Sequence, residues 1–402
     1  MDCVTSIKNY IDNLIQTTDR YIPSWNKENF KGKWNYIDGV FLKSRVELYY
    51  YTNDEKYKNF FINFINYYID ENGNFVLLNK VFPLGYMKGE LDSVCESYIL
   101  FDAYKLTNDK RYLIAIDKTY DALINQPRMK GMVNFMHKTM FDNMLVLDGF
   151  YMYSLFYSRY AKTFNKKDIY EEIIAQLKNI KELMYDEDKK LYYQSYDNLG
   201  QYFWSDKNKC SKTFWLRGIG WLIMAMCDII EFFDDEEYID YLKMLLKESI
   251  DGILQYQDNN TRMLYQIVDK RDEEFFIEKG YLEFLKNKQY MENGEYVDSY
   301  IKNYLESSGT SMIAYALIKG ARLGYLDNSY LKIGREMFEG IYNHSFSDNK
   351  LHDICITAGV GANKDKYRDG TIKYYLAEPV GCNDAKGVGP FIMSFIEYFK
   401  CE

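Results

Sequence analysis

The hydrophobic residues of this chain recur in a pattern of long helices that are joined in pairs by short polar turns. Apolar side chains three and four positions apart fill the segments on both sides of each turn, which is the periodicity of an α-helix. The turns are rich in Asn and Asp, whose side chains bond nearby backbone N–H groups and favour turns and helix starts. Such turns occur at residues 53–57, 108–112, 165–170, 234–238 and 327–330. The pattern predicts a series of helical hairpins.

The helix before a turn begins in a recognisable way, with a charged residue and usually a small one at the start of an apolar run. Six starts of this kind are Tyr36-Ile37-Asp38-Gly39, Leu91-Asp92-Ser93, Leu147-Asp148-Gly149, Leu216-Arg217-Gly218, Leu305-Glu306-Ser307-Ser308-Gly309 and Asn383-Asp384-Ala385-Lys386-Gly387. The runs that follow, such as residues 221–227, are apolar almost all round, which is typical of helices buried on several sides. We therefore expect six inner helices.

The segments after the turns carry more charge and are predicted to form an outer layer of helices. Residues 110–125 and 236–255 are examples. Five inner helices have an outer helix after them, so an N-terminal helix at about residues 4–18 supplies the missing partner of the sixth. Repeated pairs of this kind can close into a ring. The predicted fold is all-α, an (α/α)6 toroid, and we expect residues 1–402 to form a single domain.

Short polar segments follow the outer helices and return the chain to the next inner helix. They occur at residues 70–75, 188–194 and 258–266, and a longer insertion runs from about residue 269 to residue 302. Because each connects an outer helix to the start of an inner one, they must lie at the end of the ring where the inner helices begin. We expect short β-strands and loops at that end, together with the functional site.

Composition excludes some classes of binding partner and indicates a cellular compartment. The chain has 402 residues, 47% of them hydrophobic, and a formal charge of -9, so neither nucleic acid nor an anionic membrane surface is an expected partner. We recognise no signal peptide and no run long enough to span a bilayer. Seven scattered cysteines without a CxxC pair favour free thiols in a reducing compartment, and hence the cytoplasm.

Metal-dependent and nucleotide-dependent chemistry is not predicted. The three histidines, His137, His344 and His352, are too few and too far apart for a convincing zinc site. No phosphate-binding loop, dinucleotide-binding glycine pattern or serine-nucleophile motif occurs in a suitable context. We expect neither a metal ion nor an organic cofactor.

Charged residues at the six helix starts are predicted to converge on one opening of the ring. They are Asp38, Asp92, Asp148, Arg217, Glu306 and Asp384. The ordinary role of an acidic residue at such a position is to cap backbone N–H groups and complement the helix dipole. Arg217 is different, because a cation there opposes the dipole and needs an anionic ligand or a neighbouring carboxylate. A carboxylate crowded beside an aromatic wall would have a raised pKa, which indicates acid catalysis on a glycoside.

Aromatic and polar residues near the same helix starts suit the faces and hydroxyl groups of a sugar. They include Trp34, Tyr36, His137, Lys138, Trp204, Trp215 and Trp221. A tryptophan that points inward more often packs in a core than binds a sugar. Among the tryptophans, the position beside Arg217 therefore favours only Trp215 as a sugar platform.

Motifs at these positions extend over nearly the whole chain and together resemble one group of enzymes. They are residues 34–41, Glu90-Leu91-Asp92, His137-Lys138, residues 147–152, residues 214–221, residues 265–269, residues 304–309 and residues 383–389. In this order they resemble the unsaturated rhamnogalacturonyl hydrolases of glycoside hydrolase family 105, which are related to the unsaturated glucuronyl hydrolases of family 88.

The resemblance implies an (α/α)6 fold and an enzyme that removes a 4,5-unsaturated uronic acid from the non-reducing end of lyase-generated oligosaccharides, without a cofactor. A small acidic oligosaccharide is the implied partner. The resemblance makes Asp148 the general acid/base and Asp92 the second essential carboxylate. The implied pocket residues are Tyr36, His137, Lys138, Gln194, Trp215, Arg217 and Trp221. The implied chemistry is hydration of a vinyl ether, in which Asp148 protonates C4 and then assists water addition at C5.

Two positions depart from the family pattern and keep other functions open. Gln194 stands where a histidine is usual, and Val146 stands where an aromatic residue commonly precedes the acid by two positions. We expect these changes to affect the choice of leaving sugar. One alternative is a conventional inverting glycosidase on saturated uronides, with Asp92 and Asp148 as its carboxylate pair. The other is a non-catalytic sugar-binding protein on the same ring.

Overall fold

Long helices dominate the computed structural model, which describes residues 3–17, 34–77, 80–81, 89–362 and 367–401. Helix makes up 57% of the structure. The helices are α1 (Cys3–Thr17), α2 (Tyr36–Thr52), α3 (Glu55–Tyr68), α4 (Asp92–Glu96), α5 (Leu100–Thr107), α6 (Lys110–Ile124), α7 (Gly149–Phe164), α8 (Asp168–Met184), α9 (Leu216–Ile229), α10 (Glu236–Leu254), α11 (Lys279–Phe284), α12 (Ser307–Arg322), α13 (Ser329–Ser345), α14 (Ile372–Ala377) and α15 (Ala385–Lys400). No helix in the described ranges is long and apolar enough to cross a membrane. Thr18, the last residue of the predicted N-terminal helix, lies outside those ranges.

The inner helices form a closed ring in chain order. Helix α2 contacts α4, α4 contacts α7, α7 contacts α9, α9 contacts α12, and α12 contacts α15. Helix α15 then contacts α2 and closes the ring. Helices α3, α6, α8, α10 and α13 each pack beside the inner helix that precedes them. Helix α1 fills the remaining outer position, because its Asp12 pairs with Lys56 of α3 at 2.7 Å and its Tyr10 hydroxyl donates to Asn383, near α15, at 2.7 Å. The predicted (α/α)6 toroid is confirmed.

Burial distinguishes the inner from the outer helices as their sequences predict. Every residue of α9 is buried, including the charged Arg217 and Asp228. Helix α10 instead buries residues at helical spacing, such as Leu242, Leu246 and Ile250, and leaves its charged face to solvent. An inner helix is thus covered on all sides, whereas an outer helix covers the ring with one face.

The polar turns adopt the conformations for which Asn and Asp are suited. Asn53, Asn108 and Asn165 end α2, α5 and α7 with left-handed φ angles of 55°, 57° and 53°. Asp54 and Asp109 then cap the following outer helices, each accepting a hydrogen bond of 3.0 Å from the backbone N–H two residues later. The sequence prediction of Asn- and Asp-rich turns between paired helices is confirmed here.

The second inner helix is interrupted, which the sequence pattern does not predict. A 3-10 turn at Ser97–Ile99 separates α4 from α5. The Ser97 hydroxyl accepts hydrogen bonds from Trp34 Nε1 at 3.1 Å and from the Thr119 hydroxyl at 3.0 Å, and donates to the Ser93 carbonyl at 3.4 Å. Side-chain bonds of this kind compete with regular helix geometry. Trp34 is thereby a core residue at this break, since it is only 1% exposed.

Short antiparallel strands lie in the connections from α3, α6, α8, α10 and α13 to the next inner helix, as predicted. The strands are β1 (Val76–Leu77), β2 (Lys80–Val81), β3 (Met144–Val146), β4 (Tyr185–Asp186), β5 (Leu191–Tyr192), β6 (Ser195–Asp197), β7 (Glu274–Ile277), β8 (Met291–Glu292), β9 (Glu295–Tyr296), β10 (Ser299–Lys302), β11 (Phe346–Ser347), β12 (Lys350–Leu351), β13 (Ile354–Cys355) and β14 (Val380–Gly381). Strand β3 pairs with β6, β7 with β10 and β13 with β14; the other pairs are β1 with β2, β4 with β5, β8 with β9 and β11 with β12.

The insertion predicted at about residues 269–302 forms a small unit of its own. It contains β7, α11, β8, β9 and β10, and α11 contacts α14. Its buried residues Ile277 and Leu282 join Trp215 and Tyr375 in an apolar cluster separate from the main core. The insertion is therefore packed against the end of the ring rather than projecting from it.

Inside the ring, a buried charge network joins three inner helices. Asp228 of α9 contacts Lys43 of α2 at 3.2 Å and Lys319 of α12 at 2.7 Å. The Tyr315 hydroxyl donates to the same carboxylate at 2.7 Å. Burial would raise the pKa of Asp228, but the two lysines outweigh it and hold the pKa below its usual value. The carboxylate therefore stays ionised between two buried cations.

We expect Asp228→Asn to destabilise the protein strongly, because it leaves two buried ammonium groups without their shared counter-charge. Removing one member of a buried ion pair typically costs about 3–5 kcal/mol. Urea unfolding followed by circular dichroism measures the change in the free energy of unfolding. The matched control is Asp234→Asn, which removes the carboxylate of an exposed pair with Lys162 and should unfold at nearly the wild-type urea concentration. Equal midpoints for the two variants would contradict the prediction.

Candidate active site

A cavity of about 180 Å³ lies where several inner helices begin. The predicted site residues that line it are Tyr36, Asp92, His137, Lys138, Asp148 and Gln194. Phe141, Met144, Val146, Met152, Ser195, residues 357–360 and Arg368 complete its wall. The cavity thus brings together residues from both halves of the chain, and its volume suits a single small polar unit.

Asp148 stands at the mouth of α7 but does not cap the helix. It occupies the N-cap position without a side-chain bond to the helix backbone, and its Oδ1 instead accepts a hydrogen bond from Gln194 Nε2 at 3.2 Å. Glu306 and Asp384 are true caps, which accept from backbone N–H groups at 2.7 Å and 3.0 Å. Capping therefore accounts for the acidic residues on α12 and α15 and leaves Asp148 available for chemistry.

The position of Gln194 follows from strand pairing and from a glycine. The register of β3 and β6 places Val146 opposite Ser195, and the Leu147 N–H donates to the Gln194 carbonyl at 2.9 Å. A Cβ atom at Gly218 would lie only 1.9 Å from Gln194 Oε1, so a larger residue at the start of α9 would displace the amide. Glycine is required at this helix start because the Gln194 side chain approaches it closely.

Asp92 is held by a histidine and a lysine. It is 6% exposed, and its carboxylate contacts His137 Nε2 at 2.9 Å and Lys138 Nζ at 2.5 Å. Backbone pairing supports this arrangement, since the Leu91 N–H donates to the His137 carbonyl at 3.0 Å. Burial would raise the pKa of Asp92, but His137 and Lys138 outweigh it and lower the pKa to about 2.

The pKa values of the two carboxyl groups are pushed apart. Burial raises the pKa of Asp148, the negative charge of Asp92 adds to the rise, and His137 and the Gln194 hydrogen bond oppose it. The pKa of His137 is also raised, because the attraction of Asp92 exceeds the effect of burial. Pairs of groups with divergent pKa values indicate an acid and a charge-stabilising partner. Here Asp148 is suited to donate a proton, and Asp92 to remain negative.

Several buried polar atoms on the wall of the cavity lack partners. Within the described residues, His137 Nδ1, Gln194 Oε1 and Ser195 Oγ have no hydrogen-bond partner. An unpaired buried polar group costs free energy, so these atoms indicate a polar ligand. The same part of the chain contains no group of three or more His, Cys, Asp or Glu residues that could hold a metal ion.

Arg217 does not line the cavity. Its Nη1 is 3.8 Å from the Glu306 carboxylate and 3.3 Å from the Ser308 hydroxyl, and it also donates to the Cys355 carbonyl. The guanidinium lies over the Trp215 ring at 4.8 Å. The sequence predicted either an anionic ligand or a neighbouring carboxylate as the partner of this cation. The structure shows the neighbouring carboxylate, Glu306.

Trp215 and Trp221 are likewise buried outside the cavity wall. Trp215 stacks against Tyr375, with ring centroids 5.8 Å apart. Trp221 packs against Tyr151 at 4.5 Å and, edge to face, against Tyr36 at 6.2 Å. Trp221 therefore supports Tyr36, which does face the cavity. Direct contact of Trp215, Arg217 or Trp221 with a sugar stays a prediction.

Sequence reasoning did not identify the wall formed by residues 357–360 and Arg368. The Gly361 N–H donates to the Arg368 carbonyl at 2.8 Å, which joins the two ends of this loop. Its sequence has no helical or strand periodicity, so nothing local connects it with the helix starts. The available signal was an arginine just beyond the closely spaced glycines Gly359 and Gly361, before the sixth inner helix.

Comparison with known proteins agrees with this fold. The sequence profile of Glycosyl Hydrolase Family 88 matches residues 7–280 and 286–402. The structure of a family 105 glycoside hydrolase from C. acetobutylicum ATCC 824 is 30% identical, with a TM-score of 0.80 over 96% of this chain and 99% of that one. A protein of Agrobacterium fabrum is 28% identical over 252 residues, which is 60% of this chain and 96% of that protein. The unsaturated rhamnogalacturonyl hydrolase YesR of Bacillus subtilis is 20% identical over 341 residues, 83% of each chain.

We predict that His137→Gln raises the pKa of Asp148, because it removes a positive charge that stabilises the carboxylate. The protonated carboxyl of Asp148 should then persist to higher pH than in the wild type. Infrared difference spectroscopy measures the pH at which the Asp148 carboxyl band titrates. The band is assigned by its loss in Asp148→Asn. His352→Gln is the control, since His352 contacts the Ser347 carbonyl and not the cavity. A band that titrates at the same or lower pH in His137→Gln would refute the electrostatic coupling.

Proposed function

The chain belongs to Glycosyl Hydrolase Family 88, and we propose that this glycoside hydrolase removes a 4,5-unsaturated uronic acid from the non-reducing end of lyase-generated oligosaccharides. The observation that carries the proposal is the pairing in one small cavity of Asp148, whose pKa is raised, with Asp92, which His137 and Lys138 keep ionised. The similarity to an unsaturated rhamnogalacturonyl hydrolase supports the choice of substrate class.

The first step of the proposed reaction is protonation of the sugar double bond. The protonated Asp148 carboxyl gives its proton to C4, and the electron pair of the C4–C5 double bond forms the new C–H bond. Positive charge then develops on C5 and the ring oxygen. Asp92 suits this stage, because a carboxylate with a pKa of about 2 remains negative and can stabilise the cation.

The second step is addition of water at C5. The water oxygen bonds to C5 while one of its protons passes to the Asp148 carboxylate, which restores the acid for the next cycle. The product is a hemiketal, and its ring opens when the C5–O5 bond breaks to give a ketone at C5. The O5 oxygen remains on C1 with the leaving sugar, and this hemiacetal collapses to an aldehyde and the free aglycone alcohol. One water is consumed, and no redox change occurs.

Recognition of the uronate carboxylate requires a cation or hydrogen-bond donors at the cavity wall. Lys138 lines the cavity, where it bonds to Asp92. Arg217 pairs with Glu306 and does not line the cavity. We assign the carboxylate to Arg368 because this arginine lines the cavity from the loop that follows β13. A guanidinium can bind a carboxylate through two parallel hydrogen bonds, which would also orient the ring.

The alternative of a conventional inverting glycosidase is less well supported. Such an enzyme needs its second carboxylate to take a proton from water, and the pKa of Asp92, at about 2, makes it a weak base. A binding protein without activity would not need the raised pKa of Asp148. A cytoplasmic location fits this proposal, because six cysteines are free thiols: Cys95, Cys210, Cys227, Cys355, Cys382 and Cys401.

We predict that the wild-type protein removes the ultraviolet absorbance of the conjugated double bond in unsaturated oligosaccharides. The panel consists of lyase products of rhamnogalacturonan, galacturonan, ulvan and glycosaminoglycans, with saturated uronides in parallel. Asp148→Asn should lose about a hundredfold or more in kcat, because the amide cannot deliver a proton, while substrate binding persists. Turnover should also fall as pH rises through the raised pKa of Asp148. No absorbance loss with any panel member would refute the proposed function, and cleavage of saturated uronides alone would favour the inverting alternative.

The two arginines near the site should differ in their effects. We expect Arg368→Gln to raise KM at least tenfold with a smaller change in kcat, because it removes a contact to the uronate carboxylate. Arg217→Gln should instead lower the free energy of unfolding, because it leaves the fully buried Glu306 without its cation. Steady-state kinetics and urea unfolding on both variants measure these effects. A KM effect confined to Arg217→Gln would reverse the assignment.

A further inference from the structure

A second, larger cavity opens beside the catalytic one. It has a volume of about 910 Å³ and shares Phe141, Thr357, Val360 and Arg368 with the wall of the catalytic cavity. Ligand-binding cavities commonly have volumes of about 300–1,000 Å³. The catalytic cavity, at about 180 Å³, is below that range, and the outer cavity is near its upper end. Most of the space available to a bound molecule therefore lies beyond the catalytic residues.

The walls of the outer cavity suit an oligosaccharide. Phe284 and Met140 present apolar surface that is 42% and 66% exposed, which can pack on the apolar faces of sugar rings. Lys286 provides a charged donor, and Gln201 and Asp142 provide further polar groups for hydroxyls. Apolar surface together with donors and acceptors matches a chain of sugar units better than a purely apolar ligand.

The wall that carries Phe284 and Lys286 is held in place by hydrogen bonds to the end of the ring. Asn287 Nδ2 donates to the Ala377 carbonyl at 2.9 Å, and the Tyr281 hydroxyl donates to Asp369 at 2.7 Å. Leu282 is fully buried in the apolar cluster with α14. The wall is thus formed before any ligand arrives, which limits the entropy cost of binding.

The opposite wall is also supported from behind. Tyr202 stacks on Trp204 with ring centroids 5.3 Å apart, and its hydroxyl donates to the Asp142 carbonyl at 2.8 Å. Trp204 Nε1 donates to the Gly361 carbonyl at 3.0 Å, which links this wall to the loop that lines both cavities.

A short part of the insertion that forms one wall lies outside the family pattern. The family profile matches on both sides of residues 281–285 but not these residues themselves, which include Phe284 and the end of α11. Features outside a shared pattern are where members of a family differ in specificity. We therefore expect the outer wall to influence which leaving group this enzyme accepts.

We propose that the outer cavity binds the leaving oligosaccharide beyond its first sugar, so that the enzyme prefers unsaturated substrates of three or more units to disaccharides. The inference rests on the proposed function, since the unsaturated sugar must occupy the catalytic cavity. A disaccharide leaves most of the outer cavity empty, whereas a longer chain contacts Phe284 and Lys286. Binding energy from remote units can then be used to orient the reacting sugar.

The test compares kcat/KM for the unsaturated disaccharide and tetrasaccharide from the same lyase digest. The wild type should favour the tetrasaccharide about tenfold or more. In Phe284→Ala/Lys286→Ala, the ratio of the two kcat/KM values should fall at least fivefold, and Lys286→Gln alone should lower it in part. Tyr300→Ala is the matched control, because this residue lies on β10 of the same insertion, is 68% exposed and does not line the cavity. Its ratio should equal that of the wild type.

The outcomes separate the two proposals. Turnover of the disaccharide with a ratio near one, or a ratio that the double variant leaves unchanged, would overturn the role of the outer cavity and leave the proposed function standing. Absence of turnover for both lengths would refute the proposed function itself, and the inference would fall with it.

Discussion

Six inner helices can begin around one opening only if their first turns approach each other very closely. A Cβ atom at Gly39 would lie 2.9 Å from the backbone of Glu96, and one at Gly309 would lie 2.5 Å from a side-chain atom of Leu216. The small residues of the helix starts are therefore set by the ring itself. The same crowding excludes water from the charged residues that stand beside them, so each charge must find a partner or change its pKa.

The charged helix starts meet this requirement in different ways. Glu306 caps its own helix and lies 3.8 Å from Arg217, and Asp92 is bound by His137 and Lys138. Glu96 lies one turn into α4, and burial together with the nearby charge of Asp38 raises its pKa. Asp148 is bound only by a neutral amide among the contacts described above, and its pKa is raised as well. The proposed acid of the site thus lies at a helix start where burial and a like charge outweigh the compensating groups.

The helices were predictable because their signals are local. The apolar periodicity, the Asn- and Asp-rich turns and the small residue at each start depend on neighbours within a few positions of the chain. The cluster around Asp148 was also predictable from the sequence, since helix starts that point to one opening must place their side chains near each other. Family motifs then supplied the roles of Asp92 and Asp148, which spacing alone leaves open.

Side-chain direction and irregular loops were not predictable in the same way. Arg217 sits at a helix start like the other charged residues, yet it turns toward Glu306, and only the packing of α9 against α12 determines this. Arg368 belongs to a loop without periodicity, and it reaches the cavity because the chain folds back before α15. The outer cavity depends on the docking of α11 on α14, a contact between segments about ninety residues apart.

Gln194 departs from the family pattern, and its contacts determine how it affects Asp148. The β3–β6 register and the space left by Gly218 fix its amide against Asp148. A histidine at this position could carry a positive charge, which would stabilise the Asp148 carboxylate and lower its pKa. An amide donates the hydrogen bond without ever acquiring charge, so the positive charges that oppose the rise in the pKa of Asp148 are those of His137 and Arg217. Burial and the charge of Asp92 raise the pKa of Asp148, and His137, the Gln194 hydrogen bond and Arg217 oppose the rise. The same glutamine leaves its Oε1 available for a sugar hydroxyl. Gln194 is therefore compatible with the proposed proton donor and changes the hydrogen bonds that the cavity offers to a ligand.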